Sequence, residues 1–253
     1  MNGGSIVVRD PWRSRRRRAT VQAPPGRPGW EEWAALVLVV VYNPLVNSVI
    51  PDAVHVPTNL SLAGVLVWLA LRTGTTPGVL GLGRDRFRHG LLLGAAVAAA
   101  VAALVALALL FPGGRDALGD DRFQSVGRSE ALLEVLLRIP LATALGEELI
   151  FRAVLLGLLL RRLTIGRAVA VSAVLFGLWH IAPTLVEGAG AGAEPASAFG
   201  AVAAAVLVTA GAGVGFAWLR LRSGSILAPV LAHWAINGSA YLAGWLVVTR
   251  GWA

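Results

Sequence analysis

The chain contains no cysteine and no lysine, and only 14% of its 253 residues are charged. The absence of cysteine excludes disulfide bonds and any chemistry that depends on a thiolate. The scarcity of charge, with 56% hydrophobic residues, excludes an ordinary soluble domain, in which about a quarter of the residues are charged. The composition therefore predicts an integral membrane protein.

Long apolar runs recur along the whole chain after a basic start. At roughly 20 apolar residues per span they predict an all-α polytopic transmembrane helical bundle of about seven spans, within a range of six to eight. Continuous Ala, Leu and Val runs without strict alternation are not typical of barrel strands. The fourth span is long enough to be kinked or divided at Pro140. The spans are expected at residues 33–50, 58–72, 90–112, 129–161, 167–186, 198–220 and 225–248.

The basic start, residues 1–29, contains "RSRRRR" at 13–18 and "APPGRPG" at 23–29. This composition predicts a disordered Arg/Pro-rich cytoplasmic tail ahead of one transmembrane domain, residues 30–253. The first apolar run begins too far behind the charges for a cleaved signal peptide, so the first span is expected to remain.

The arginines that give the chain its net charge of +8 are distributed unequally between the two sides of the predicted topology. Sixteen arginines lie in the tail and in alternate connections, and four lie on the opposite side. The positive-inside rule places the N-terminus in the cytoplasm. The plasma membrane is the expected location. Basic residues arranged in this way favour membrane lipid as a partner and argue against nucleic acid.

Polar residues inside the spans form three short patches with a four-residue step. Four residues are about one helical turn, so the members of each patch share a helix face. At 1.5 Å per residue, all three patches lie about 20–22 Å from the arginine-bearing helix ends. They are "EELIFR" with Glu147, Glu148 and Arg152, "FGLWH" with Phe176 and His180, and "HWAIN" with His233 and Asn237.

Each patch alone has an ordinary structural interpretation. Glu148 and Arg152 can form an intrahelical ion pair, a lone His180 or His233 is usually a packed core histidine, and Phe176 is expected to be packing. Charges inside a membrane span are expensive, however, and the three patches agree in depth. Jointly they predict the wall of a single buried polar cavity.

This set of groups suits two kinds of hydrolysis. A carboxylate beside an imidazole can activate water, while a second imidazole and an amide donate hydrogen bonds to an oxyanion. Alternatively, Glu147, His180 and His233 could bind a divalent metal such as zinc, which would lower the pKa of bound water. Both mechanisms remain open at this point.

Several other intramembrane proteases are excluded because their motifs are absent. The chain has no H-E-x-x-H, and "GLGRD" at 81–85 lacks the Gly-x-Gly-Asp of presenilin-like enzymes. In "SGSILAPVLAH", Ser225 is two helical turns from His233, which is too far for the hydrogen bond that a rhomboid-type pair needs.

The ordered patterns E-E-x-x-x-R, F-x-x-x-H and H-x-x-x-N resemble those of the CAAX protease and bacteriocin-processing (CPBP/Abi) family, which includes the type II CAAX prenyl endopeptidase. The resemblance covers residues 129–238, which form the expected catalytic core. It implies that Glu147 and His180 activate water, that His233 and Asn237 stabilise the oxyanion, and that Glu148 and Arg152 support them.

The resemblance implies an intramembrane endopeptidase, of a metallo- or glutamate type, acting on a peptide or protein that is prenylated in some relatives. The alternative within the same family is a catalytically silent immunity or signalling scaffold. A transporter is less favoured, because the sequence has no inverted repeat or paired broken helices.

Overall fold

The structure is a computed structural model that describes residues 6–8, 19–21, 30, 34, 37–38, 41–42, 50–51, 54–190 and 195–252. From residue 54 onward, its regular elements are helical. Two short 3₁₀ turns, Arg84–Arg86 and Asp121–Phe123, precede longer helices. The helices are numbered here α1 (His55–Arg72), α2 (Pro77–Leu80), α3 (Phe87–Ala108), α4 (Pro112–Leu118), α5 (the continuous helical run 128–160), α6 (Ile165–Trp179), α7 (Ile181–Gly190), α8 (Pro195–Ser223) and α9 (Leu227–Thr249).

The start of the chain contains a small antiparallel ribbon, in which β1 (Ile6–Val8) pairs with β2 (Ala19–Val21). Both strands belong to the segment 1–29 that the sequence predicts to be disordered. The rest of that segment and most of the predicted first span, 33–50, lie outside the described residues. The division of the chain at residue 30 therefore stays a prediction.

The six later predicted spans correspond to helical segments of the structure. Within the described ranges, three helical stretches are long and apolar enough to cross a membrane: Arg84–Ala108, Ile165–Val186, which runs from α6 into α7, and Ala196–Ser223. Large apolar side chains such as Leu104 and Leu207 are exposed on their surfaces, as lipid-facing side chains are. An all-helical membrane domain is thus confirmed, whereas the count of about seven spans stays a prediction.

The helical run α5 is continuous through Pro140, where the sequence allowed a division. It alternates between α- and π-helical stretches: Arg128–Leu133 (α), Glu134–Leu145 (π), Gly146–Glu148 (α), Leu149–Leu155 (π) and Leu156–Leu160 (α). Proline has no N–H, and in a π-helix the missing bond would have gone to the carbonyl five residues earlier. That carbonyl, of Val135, instead accepts a 2.7 Å hydrogen bond from the indole N–H of Trp234 on α9. The helix stays unbroken because another helix supplies the donor that Pro140 lacks.

Glycines allow α6 and α9, which carry two of the polar patches, to approach neighbouring helices closely. A Cβ on Gly177 of α6 would lie 2.6 Å from the carbonyl oxygen of Val206 on α8, and a Cβ on Gly94 of α3 would lie 2.9 Å from the Cα of Ala228 on α9. Such distances are far below van der Waals contact. The backbones therefore touch, so α6 is held close to α8, and α9 is held close to α3.

Helix α1 packs along α5 with one buried face. Its buried residues recur at helical spacing, and all of them except Leu69 join the main hydrophobic cluster. On α5 the same cluster includes Ile150, Phe151 and Val154, which flank the charged residues of the first patch. Those buried α1 residues are Leu62, Ala63, Leu66, Leu69 and Ala70.

Candidate active site

The centre of the site is a fully buried ion pair on α5. Nη1 of Arg152 donates a 3.0 Å hydrogen bond to Oε1 of Glu148, and both side chains have 0% exposure. The four-residue step puts them one turn apart on the same face, as the sequence predicts. Removing such charges from solvent is costly, so the pair persists only with further partners.

Three aromatic rings surround the Arg152 guanidinium. Its Cζ lies 4.0 Å from the ring centroid of Phe176, 5.1 Å from that of Phe216 and 5.8 Å from that of Phe151. The negative ring faces stabilise a cation that has little water around it. Two of its other nitrogens, Nε and Nη2, have no hydrogen-bond partner among the described residues. The rings therefore provide much of what holds this cation in place.

The imidazole of His233 joins the ion pair from α9. Its Nδ1 lies 3.0 Å from Oε1 of Glu148, and because a carboxylate accepts, Nδ1 carries the hydrogen. The ring stacks on Phe216 with centroids 4.8 Å apart and an interplanar angle of 21°. One carboxylate oxygen thus holds both Arg152 and His233, and the Nε2 edge of the imidazole is left for other contacts.

The second carboxylate, Glu147, is close to that free edge. Its Oε2 lies 3.9 Å from Nε2 of His233, beyond hydrogen-bond distance, and has no hydrogen-bond partner among the described residues. Its side chain is 13% exposed, whereas that of Glu148 is completely buried. The two neighbouring glutamates therefore have different surroundings: one is enclosed in the ion pair and the other is partly accessible.

His180, from the second patch, lies where α6 ends. Pro183 lacks the N–H that a continuous helix would direct to the carbonyl of Trp179, so the helix breaks and His180 becomes its C-cap. Nδ1 of His180 lies 2.8 Å from the carbonyl oxygen of Phe176 and must donate to it, so in the neutral imidazole Nε2 carries the lone pair. The helix break and this hydrogen bond together fix the orientation of the ring.

Both histidines contact the ring of Phe176. Its centroid is 4.8 Å from that of His180 and 6.0 Å from that of His233, with both rings edge-on. The sequence predicted Phe176 to be packing, and the structure buries it at 1% exposure. Packing against both histidines and Arg152, it joins the patches of three helices.

The last predicted site residue, Asn237, is half-buried one turn beyond His233 on α9. Its side chain forms no hydrogen bond with another described residue. The structure thus brings Glu147, Glu148, Arg152 and His233 into direct contact, joins His180 to them through a shared aromatic neighbour, and places Asn237 on the adjoining turn.

The residues do not fit a metal centre. Among the described residues, no group of three or more His, Asp or Glu side chains could hold a metal ion. The set predicted as alternative zinc ligands, Glu147, His180 and His233, is not found as such a group, and the choice between zinc and a metal-free mechanism stays a prediction.

Two contacts of the site were missed from the sequence. Phe216 lies on α8, which has no polar patch, and its only signal was an aromatic residue on the buried face of a helix. Trp234 lies within the third motif, but its bond to Val135 becomes interpretable only with the π-helical geometry around Pro140. Both depend on how two distant helices are rotated relative to each other.

No curated protein and no solved structure matches the chain. A family model described as type II CAAX prenyl endopeptidase Rce1-like matches residues 129–239. The matched segment begins in α5, ends in α9 and contains all of the predicted site residues. The resemblance inferred from the three motifs is confirmed by this match over residues 129–239.

Proposed function

We propose that the protein is an intramembrane endopeptidase that hydrolyses a peptide bond with water activated by Glu147 and His180. The observation that carries the proposal is the buried network in which Glu148 joins Arg152 to His233 while Glu147 lies 3.9 Å from the same imidazole. The protease family of residues 129–239 supports the reaction class.

Glu147 and His180 are proposed to activate the water. Both offer an acceptor: Oε2 of Glu147 has no hydrogen-bond partner among the described residues, and Nε2 of His180 keeps its lone pair. Water held by these acceptors attacks the carbonyl carbon and gives a proton to the Glu147 carboxylate. That proton then passes to the departing amine as the C–N bond breaks.

His233 and Asn237 are proposed to stabilise the oxyanion. With Nδ1–H donated to Glu148, a proton on Nε2 would make His233 a charged donor toward the developing negative charge. The Asn237 amide, one turn away, can supply a second donor.

Glu148 and Arg152 are proposed to hold this arrangement. A single oxygen of Glu148 accepts from both Arg152 and His233, and the aromatic rings keep the guanidinium in place. The Nδ1 bond fixes both the tautomer and the direction of the His233 ring. Their contribution is therefore to orient a catalytic group rather than to contact the substrate.

The substrate is proposed to be a peptide or protein that reaches the site from the membrane. The family description includes prenyl processing, so a prenylated C-terminus is the first substrate class to test. The buried position of the site and the apolar helix surfaces suit a lipid-anchored peptide. The plasma membrane and a cytoplasmic N-terminus are proposed from the arginine distribution.

The decisive experiment compares wild-type protein with Glu147→Gln in detergent or lipid vesicles, on a substrate found by screening prenylated and unprenylated peptides. The amide keeps the shape of the side chain and removes the base, so turnover should fall by on the order of 10²-fold or more. Glu130→Gln, at an exposed position of the same helix, should keep full turnover. Equal turnover by wild type and Glu147→Gln would refute the mechanism, and an inactive wild type would favour the silent scaffold.

The same preparation tests the mechanism without a metal. Turnover should persist in a chelator, and elemental analysis should find no stoichiometric zinc. Activity that is lost on chelation and restored by zinc would show instead that a metal activates the water.

A further inference from the structure

Two polar residues outside the matched family domain form a hydrogen-bonded pair beside the site. The hydroxyl of Tyr42 donates to Oδ1 of Asn59 over 2.6 Å, and Nδ2 of Asn59 lies 3.3 Å from the carbonyl oxygen of Ala142 on α5. The carbonyl can only accept, so Asn59 must direct its amino group toward α5 and its oxygen toward Tyr42. Both partners thus fix the orientation of the amide.

Asn59 contacts the backbone of α5 immediately before the proposed catalytic glutamates. It lies on the buried face of α1, and a Cβ on Gly146 would be in ordinary contact, 3.5 Å from the Cβ of Asn59. Gly146 directly precedes Glu147. The Ala142 carbonyl belongs to the π-helical stretch that leads into this turn, so the amide contacts α5 where its helical geometry changes.

Tyr42 packs against Trp179, the residue immediately before His180. Its ring stacks on Trp179 with centroids 6.3 Å apart and an interplanar angle of 21°. Trp179 in turn packs edge-on against Phe151 of α5, with centroids 5.3 Å apart. The indole at the end of α6 is therefore held from two sides, and His180 follows it in the chain.

We propose that Tyr42 and Asn59 are positioning residues that set the separation of Glu147 and His180, an inference that rests on the proposed hydrolytic function. The Tyr42–Asn59 bond links the end of α6 to the turn of α5 that carries the glutamates. Neither residue has to contact the substrate. Their effect is exerted through Trp179 and Gly146 on the two groups that hold the water.

The test measures kcat and KM of Tyr42→Phe on the substrate established with the wild-type enzyme. The phenyl ring keeps the stacking on Trp179 and loses only the hydroxyl. We expect kcat to fall about tenfold with KM within about twofold, because misplacement affects the chemical step more than substrate binding. The second tyrosine of the chain supplies the matched control: Tyr241→Phe, at a ring that packs on Phe123, should leave both constants unchanged.

A double-mutant cycle separates positioning from simple structural support. If Tyr42 acts through Asn59, the variant Tyr42→Phe/Asn59→Ala should lose no more kcat than Asn59→Ala alone. A support role would lower the melting temperature while the folded fraction kept its wild-type kcat. Wild-type kcat in Tyr42→Phe, or strictly multiplicative losses, would overturn the inference.

The outcomes distinguish this inference from the proposed function. An active wild type and an inactive Glu147→Gln, together with a fully active Tyr42→Phe, would overturn only the positioning role. A fully active Glu147→Gln, or an inactive wild type, would remove the proposed mechanism and the inference with it.

Discussion

Two Glu–Arg pairs on α5 have the same four-residue spacing and very different surroundings. Arg138 lies 3.3 Å from Glu134, with side chains 40% and 25% exposed, whereas Arg152 and Glu148 have no exposure. In an exposed pair, water solvates both ions whether or not they contact each other, so the contact adds little stability. The enclosed pair has no such alternative, so losing one partner leaves a charge without compensation.

This difference predicts unequal effects of the same substitution. Arg152→Ala should reduce the free energy of unfolding by about 3–5 kcal/mol, because it leaves Glu148 buried opposite His233. Arg138→Ala, the matched control, should cost no more than about 1 kcal/mol. Thermal or chemical unfolding in detergent measures both values, and Arg152→Lys should restore only part of the loss. Equal effects of the two alanine variants would contradict a buried role for Arg152.

At the same scale, the sequence predicted which residues meet but not how they meet. Helical spacing and common depth were sufficient to bring Glu148, Arg152 and His233 together. The choice of Glu148, rather than Glu147, as the partner of Nδ1 depends on the rotation of α9 about its axis. Spacing within one helix carries no information about that rotation, and the catalytic roles themselves stay a prediction.

At the scale of elements, Pro140 and Pro183 mark where the helical geometry changes, but they do not by themselves predict how it changes. Pro140 was expected to kink or divide α5, and the structure keeps the run helical through a π stretch. Pro183, within the predicted fifth span, divides that span into α6 and α7 at His180. The outcome differs because the carbonyl opposite Pro140 finds a donor on another helix, which no local pattern specifies.

Helices α6 and α8 cross in close contact at Gly177. Gly177→Ala would place a methyl group 2.6 Å from the backbone oxygen of Val206, so the helices must separate. Overpacking of this kind typically costs about 1–3 kcal/mol, and it would also move His180, three residues along the chain. We expect lower thermal stability and lower turnover.

Gly166 supplies the control on the same helix, because a Cβ there meets nothing within 4 Å. Gly166→Ala should leave stability unchanged or slightly higher, since alanine is the better helix former. A Gly177→Ala variant as stable and active as Gly166→Ala would show that the two helices do not need this close contact.

At the scale of the whole molecule, composition predicted the class of protein. The helical membrane domain follows from the apolar runs, and it is confirmed for the described residues. The number of spans does not follow, because helices such as α1 and α5 contain polar residues that are satisfied by packing and not by position in the bilayer. Hydropathy alone cannot separate a span from a helix buried among spans.

The arginine distribution makes the orientation testable, and the lack of cysteine makes the test clean. Ser125→Cys, in the acidic connection before α5, and Thr164→Cys, in the arginine-bearing connection before α6, each introduce the only thiol of the chain. In intact cells, a membrane-impermeant maleimide should label the first variant and not the second. Both should react after the membrane is permeabilised, and the reverse pattern would place the N-terminus outside.

The bond from Trp234 to the Val135 carbonyl also constrains how this sequence can vary. Replacing the indole alone leaves a carbonyl without a donor, which is costly inside a membrane. Replacing Pro140 alone restores an N–H that competes with the indole for the same oxygen. Changing both lets α5 complete its own series of backbone hydrogen bonds. The two substitutions are therefore epistatic, because each is harmful in one background and acceptable in the other. Related sequences should therefore retain the proline and the tryptophan as a pair, or exchange them together, although 94 positions separate them in the chain.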